Sequence, residues 1–392
     1  MKDWRYHVAI PSTAMTDNDT DQFDLPSEGV LSKLELYLYN RNNNAHQNSI
    51  YRRLSEHITN IEIRGDTNDV IYDENCQQGR AWAVDTELRV PPEKFHGYGA
   101  KGQWTCLPIY FGRYARDEKY GLDLSKWTNV RISITNDFTA TYFQAAEATL
   151  TVRALWTFDE SIKPTHYLAK TIIDEQSVPQ AGTWARPVIL PDRFPIRRIA
   201  VEGGVDVEGV GDNCPGKPRT SASNCIRDMI FYKMGRRDVI WHDRLSNLWR
   251  FNEDEYGHHL TEEFQDGGGS NMYMDSMLGY PETLTSAIQG DTAAAASESA
   301  CFADDQERVI QVRAWPEIDW AAVAAYGNGY NQTGFFRFYS MKPYELSTDV
   351  VDQWLQPGAK GEKVCELLYY LNLATYCHAR THVEQAIPHP TD

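Results

Sequence analysis

Apolar and polar positions alternate with a period of two along most of the readable segments of this chain. Leu34, Leu36 and Leu38 are separated by Glu35 and Tyr37, and Ile61 and Ile63 flank Glu62. Val130, Ile132 and Ile134 alternate with Arg131 and Ser133, and Leu150, Val152, Ala154 and Trp156 form a fourth set. A period of two turns one side of a strand toward a core and the other toward solvent or a second layer. Each set therefore predicts an antiparallel strand of a β-sandwich. Helical periodicity is scarce, and segments rich in Asn, Asp and Gly, at 40–44 and 65–69, predict turns.

The two halves of the chain resemble each other. The stretch ending at Asn75 matches the one ending at Asp243: Asp69-Val70-Ile71-Tyr72 falls on Asp238-Val239-Ile240-Trp241, an offset of 169 residues that also puts Ile61 on Ile230. A later and weaker match puts Val130 on Val364, an offset of 234. Each copy is followed by a further alternating segment, from Thr149 and from Thr375. The offsets differ by 234 − 169 = 65 residues, which predicts an insertion of about that length in the second half. Gly267 to Gly269 and Ala293 to Ala296 make the region 257–333 read as a long, low-complexity loop.

This organisation divides the chain into an N-terminal arm at 1–28, a first β unit at 29–160, a linker at 161–195 and a second β unit at 196–392. The linker is read from five prolines (Pro164, Pro179, Pro187, Pro191 and Pro195) among few alternating patterns, and the arm from its acidic run at Asp17, Asp19, Asp21 and Asp24.

Charge narrows the function classes. Thirty-eight Lys and Arg against 55 Asp and Glu give a net charge of −17, which argues against direct nucleic-acid binding, because such binding is driven by cationic side chains that displace counterions. Hydrophobic residues make up 42% of the chain, enough for sizeable cores. No apolar run is long enough for a membrane-spanning helix, and no apolar segment precedes the acidic run, so no secretion signal is expected. Seven cysteines at irregular spacing, with no CxxC, predict reduced and mostly buried thiols in a protein made in the cytoplasm.

With these features in view, the chain resembles the double jelly-roll major capsid proteins of tailless icosahedral viruses, the lineage that includes the adenovirus hexon. The likeness is carried by residues 61–75, by 107–135 and by 354–371 with the alternating strand that follows, and its motifs are diffuse. The resemblance implies an all-β fold of two eight-stranded jelly-roll sandwiches side by side, with the insertion of the second rising as a tower. It further implies a structural protein, not an enzyme, that trimerises into pseudo-hexagonal capsomers and tiles a virion shell assembled in the host cytoplasm. Its partners would be its own copies, neighbouring capsomers, minor capsid or vertex proteins and, as in many members, an underlying membrane. No cofactor, metal or catalytic residue is implied. The residues alone leave open a carbohydrate-binding or carbohydrate-cleaving β-sandwich, and a spike or vertex protein.

Individual motifs point to no catalytic chemistry. Gly211 to Lys217 spells GxxxxGK, but Pro218 stands where a phosphate-binding loop needs Ser or Thr and a helix N–H, so a surface loop is expected. His258, His259, Glu262 and Glu263 lack the HExxH arrangement and read as a polar turn. His378 and His382 share one face of the last strand and are read as an interface or solvated face in preference to a metal or pH-sensing site. Trp82, Trp104, Trp184 and Trp249 are candidates for sugar stacking, but strand-borne tryptophans are mostly core. The sequons at Asn18 and Asn331 carry little weight without a secretion signal.

Overall fold

The alternating sets become the core. In a computed structural model of the chain, Leu34, Leu36, Leu38, Ile61, Ile63, Ile132, Ile134, Leu150, Val152 and Ala154 are all buried in one apolar cluster. The structure describes residues 3–43, 54–66, 69–87, 91–94, 102–139, 143–178, 184–205, 226–233, 235–244, 365–371 and 377–390, with Leu355 and the backbone of the strands between 260 and 341. The loop at 211–218, His258, His259, Trp249 and Asn331 lie outside the described residues.

Along the first half run β1 (Arg5–Ala14), β2 (Thr20–Asp24), β3 (Val30–Arg41), β4 (Ile58–Gly65) and β5 (Asp69–Glu74). Helix α1 (Cys76–Glu87) follows, then β6 (Glu93–Lys94), β7 (Gly102–Tyr110), β8 (Leu122–Asp123), β9 (Val130–Asn136) and β10 (Thr149–Thr157). The second half opens with β11 (His166–Val178), β12 (Val188–Ile189), β13 (Ile196–Val205), β14 (Ile226–Lys233) and β15 (Asp238–Arg244). After these come β16 (Leu260–Gly267), β17 (Asn271–Tyr273), β18 (Ala287–Gln289), β19 (Ala300–Ala303), β20 (Val309–Trp315) and β21 (Ala322–Gly329). The chain closes with β22 (Phe338–Met341), β23 (Glu366–Leu371) and β24 (Cys377–Pro388).

Strand order reveals the same sandwich twice. The first half pairs β1-β10-β3-β7 in one sheet and β2-β9-β4-β5 in the other, and the second pairs β11-β24-β13-β22 and β12-β23-β14-β15. Taken in chain order, the two sets of eight strands have the same connectivity, that of a jelly roll. Each sandwich encloses its own apolar cluster, one around Leu36 and Ile132 and the other around Val201, Met229 and Tyr369. The rolls are joined at a sheet edge: β5 of the first pairs in parallel with β11 of the second, at Tyr72↔Lys170 and Asp73↔Thr171. One eight-stranded sheet, β2-β9-β4-β5-β11-β24-β13-β22, therefore runs through both.

Register fixes the equivalence residue by residue, because four irregularities recur at matching places. The β4–β5 hairpin skips Ile71 and the β14–β15 hairpin skips Ile240. Pairing of β4 with β9 skips Thr59, and pairing of β14 with β23 skips Arg227. Ser32 is skipped between β3 and β10, as Arg197 is between β13 and β24. Ala9 is skipped between β1 and β10, as Ile173 is between β11 and β24. Bulges re-aim a strand and fix its twist, so a shared set marks a shared backbone.

This register confirms the offset of 169 for the Asp-Val-Ile strand and corrects the two neighbouring matches by one residue. Ile61 is equivalent to Met229, not Ile230, because the β14–β15 turn is one residue longer; it holds Gly235 and Arg236 at positive φ, where the first turn has Asp66. Val130 is equivalent to Cys365, not Val364. A one-residue slip would turn every core side chain outward. The corrected offsets leave 235 − 169 = 66 extra residues between β15 and β23.

Three expectations meet a different structure. The arm at 1–28 contains β1 and β2, and the linker at 161–195 contains β11 and β12, so in each half the first two strands of the roll lie where no strand was read. β1 and β2 are largely solvent-exposed edge strands with little apolar alternation, and Pro11 interrupts the first. The insertion at 257–333 is more than a loop: β16-β21-β20-β19 form a four-stranded sheet, and β17 pairs with β18. Its low-complexity composition masks the alternation of Ile310, Val312 and Ala314 with Gln311 and Arg313. No helix among the described residues is long and apolar enough to cross a membrane.

Candidate functional site: the seam between the rolls

The most distinctive chemistry in the molecule lies where the two rolls meet. Helix α1 begins with Asn75, whose side chain accepts from the Gln78 N–H at 2.8 Å while Gln78 Oε1 accepts from the Asn75 N–H at 2.8 Å. This reciprocal cap starts a helix in a β-rich context. Gly79 lets the helix lie close on β5: a Cβ there would stand 2.1 Å from the Tyr72 hydroxyl. The helix is thereby set to reach the second roll.

Three of its side chains do so. Gln78 Nε2 donates to Glu202 Oε2 on β13 at 2.6 Å, Thr86 Oγ1 accepts from Arg198 at 3.1 Å, and the Arg198 guanidinium sits 5.1 Å from the Trp82 ring centre. Trp82 also donates to Glu74 Oε1 at 3.0 Å. The tryptophan named as a possible sugar platform is thus buried at the junction.

Beneath the helix lie two groups of buried charge. In the first, Glu384 on β24 accepts two bonds from Arg198, at 2.5 and 2.6 Å, and one from Arg197 at 2.9 Å, and lies 3.2 Å from Lys170 Nζ on β11. Burial alone would raise the Glu384 pKa, but Arg198, Lys170 and Arg197 hold it well below the usual carboxylate range. Lys170 also donates to the Tyr110 carbonyl at 2.6 Å, and burial brings its pKa down to about 8 against the pull of Glu384.

In the second group, His382 on β24 is fully buried, with Nδ1 2.8 Å from Glu74 Oε2 and Nε2 3.6 Å from Glu202 Oε2. Burial would lower its pKa, yet Glu74 and Glu202 raise it to about 9. The imidazolium is therefore the form held at neutral pH, bridging a carboxylate from each roll. Arg380, 3.4 Å from Glu202 and 3.0 Å from Glu175, closes the outer side.

The seam pairs charge with charge. Among the described residues, no group of three or more His, Cys, Asp or Glu side chains is placed to hold a metal ion. Cys76, Cys106 and Cys365 are buried thiols without a disulfide, and burial pushes Cys106 up to about 11, away from thiolate chemistry. Trp184 is exposed but packs edge-on against Tyr370 at 5.2 Å, and Trp104 is half-buried on β7. Sequence reasoning read His382 as part of an interface or a solvated face, whereas it is fully buried within the chain, and it missed the rest of the seam. Its only sequence signal is a charge on the apolar face of a strand, as in Glu74, which stands opposite Ile61.

No protein-family model matches the chain, and no curated protein matches it in sequence. Solved structures do match in fold. The capsid protein in the crystal structure of the STIV MCP has 9% identity and a TM-score of 0.55 over 99% of this chain and 97% of that one. A chain in the atomic structure of Sulfolobus Turreted Icosahedral Virus has 10% identity and a TM-score of 0.55, over 98% and 91%. The major capsid protein P2 of bacteriophage PM2 has 8% identity and a TM-score of 0.53, over 98% of each chain. Near-complete coverage in both directions, with the two rolls traced above, gives this chain the all-β, double jelly-roll fold of those viral capsid proteins.

Proposed function

We propose that the chain is the major capsid subunit of an icosahedral virus, a structural protein whose three copies form a pseudo-hexagonal capsomer. The observation that carries this reading is the joining of two eight-stranded rolls by one continuous sheet, together with a fold match over nearly the full length of two viral capsid proteins. Two wedges fixed in one chain let three copies present six. The rolls, taken as domains, run from β1 to β10 and from β11 to β24. The sheet inserted between β15 and β22 serves as the tower, and neighbouring capsomers and minor capsid or vertex proteins are the partners. A net charge of −17 suits a shell that leaves genome binding to other proteins.

The test is the solution mass of the full chain by light scattering after size exclusion, with negative-stain images of the peak. A species of three times 44.8 kDa with a six-lobed outline is expected. A chain that stays monomeric at high concentration overturns the reading.

A further inference from the structure

The two rolls expose unequal edges. The outer edge of β11 is covered within the chain by β5, whereas β1, its equivalent in the first roll, is the last strand of its sheet. Likewise β5 is covered by β11, but its equivalent β15 is the last strand of its own sheet. No described strand flanks β1 or β15 on the outer side. Each edge is thus the counterpart of one half of a junction that the chain already makes.

We infer that β15 of one copy pairs in parallel with β1 of the next, repeating between copies the β5–β11 junction made within each. The register follows from the shared bulges. Ala9 and Ile173 make Tyr6 equivalent to Lys170 and His7 to Thr171; Ile71 and Ile240 make Trp241 equivalent to Tyr72 and His242 to Asp73. The pairing Lys170↔Tyr72 and Thr171↔Asp73 then becomes Tyr6 beside Trp241 and His7 beside His242.

Surface chemistry agrees. Seven large apolar side chains are exposed among the described residues, and three lie on these two strands: Tyr6 at 49%, Val8 at 55% and Val239 at 49%. An open edge flanked by apolar side chains invites strand pairing unless something covers it. The occupant is a second copy because one chain offers one half of the junction at each end. Such a contact is head-to-tail, so it closes into a ring or runs on as a filament. Closure at three copies rests on the capsomer reading above.

The mass measurement comes first, so that loss of the trimer and loss of this junction are told apart. The full chain carrying His7→Cys and His242→Cys is then oxidised mildly and run on a non-reducing gel. Neighbouring strands stand about 4.8 Å apart, within the span a disulfide bridges. A covalent trimer is expected, absent from either single variant, which controls for the native cysteines. Tyr6→Cys with His242→Cys should not link, since adjacent residues point to opposite faces. A trimer by mass in which the His7 and His242 positions never link overturns the junction; equal linking by both pairs overturns the register. As a second readout, Val8→Glu should weaken assembly by about 30-fold or more while the monomer's circular dichroism is unchanged. An unaffected trimer overturns the inference.

Discussion

The first and second rolls share a backbone down to their bulges, yet the outer faces of their equivalent sheets differ in kind. In the second roll that face carries Lys170, Arg198, Glu202, His382 and Glu384, covered by α1. The register puts Tyr6, Lys33, Tyr37, Arg153 and Leu155 at the matching positions of the first. There Arg153 lies 5.0 Å over the Tyr37 ring, and Tyr6 stays half exposed. Backbone geometry is thus common to both rolls, while side-chain chemistry follows what covers the sheet. Under the helix, charge is sealed from water and must be paired; on the first roll Leu155 and Lys33, the latter paired with Glu35 and Glu87, are buried, while Tyr6 and Arg153 remain available for contact.

The sharpest way to break this contrast is to unbalance the seam. Glu384→Ala strands Arg198, Arg197 and Lys170 without their shared carboxylate, and should cost about 3–5 kcal/mol, read from the urea midpoint of unfolding. Retention of wild-type stability would show that the seam does not hold the rolls together.

A smaller effect is expected from pH. The His382 pKa is about 9 in the folded chain, above its ordinary 6.5, so the folded form binds more protons between those values. Its stabilisation is complete below about pH 6.5 and fades as pH rises through about 9. Lys170 has the opposite sign: with a folded value of about 8 against an ordinary 10.5, its contribution improves as pH rises across that range. Stability should therefore decline from pH 6.5 to 8 and flatten above it. His382→Gln should remove the decline, at most about 2 kcal/mol across the window. A variant with the wild-type pH profile would assign the decline to other groups.

The smallest effect is expected at an exposed ion pair, on the other sheet of the first roll. Arg131 holds Asp24 at 3.0 Å between β9 and the edge strand β2, with both side chains about half exposed or more. Arg131→Ala should cost less than about 1 kcal/mol and disappear into experimental scatter at high salt. A loss comparable to that of Glu384→Ala would mean that β2 is under tension that the exposed geometry does not suggest.

Some of this was legible in the chain. Strands whose apolar residues alternate cleanly, such as Leu34 to Leu38 and Ile132 to Ile134, were readable because one face must enter a core. The Asp-Val-Ile repeat exposed the duplication because this strand, unlike those at the other three shared bulges, keeps the same residues in both copies. Edge strands were not readable: β1 and β2 bury little, so burial leaves little pattern in them. The helix cap at Asn75 and Gln78 went unread, because Asn-x-x-Gln is a short pattern easily lost among turn residues.

By itself, then, the sequence determined that this is a β protein built from a repeated unit with an insertion in the second copy, since periodicity and duplication are local, one-dimensional properties. Only the tertiary structure decided where each roll begins, how a one-residue turn difference resets the register, and which charges meet. Glu74, Glu202 and the pair His382 and Glu384 come from three distant segments of the chain, and each segment alone gives no sign of the others. What makes them a buried seam is the approach of two sheets under one helix, and that approach is set by pairing between β5 and β11, which no single segment encodes.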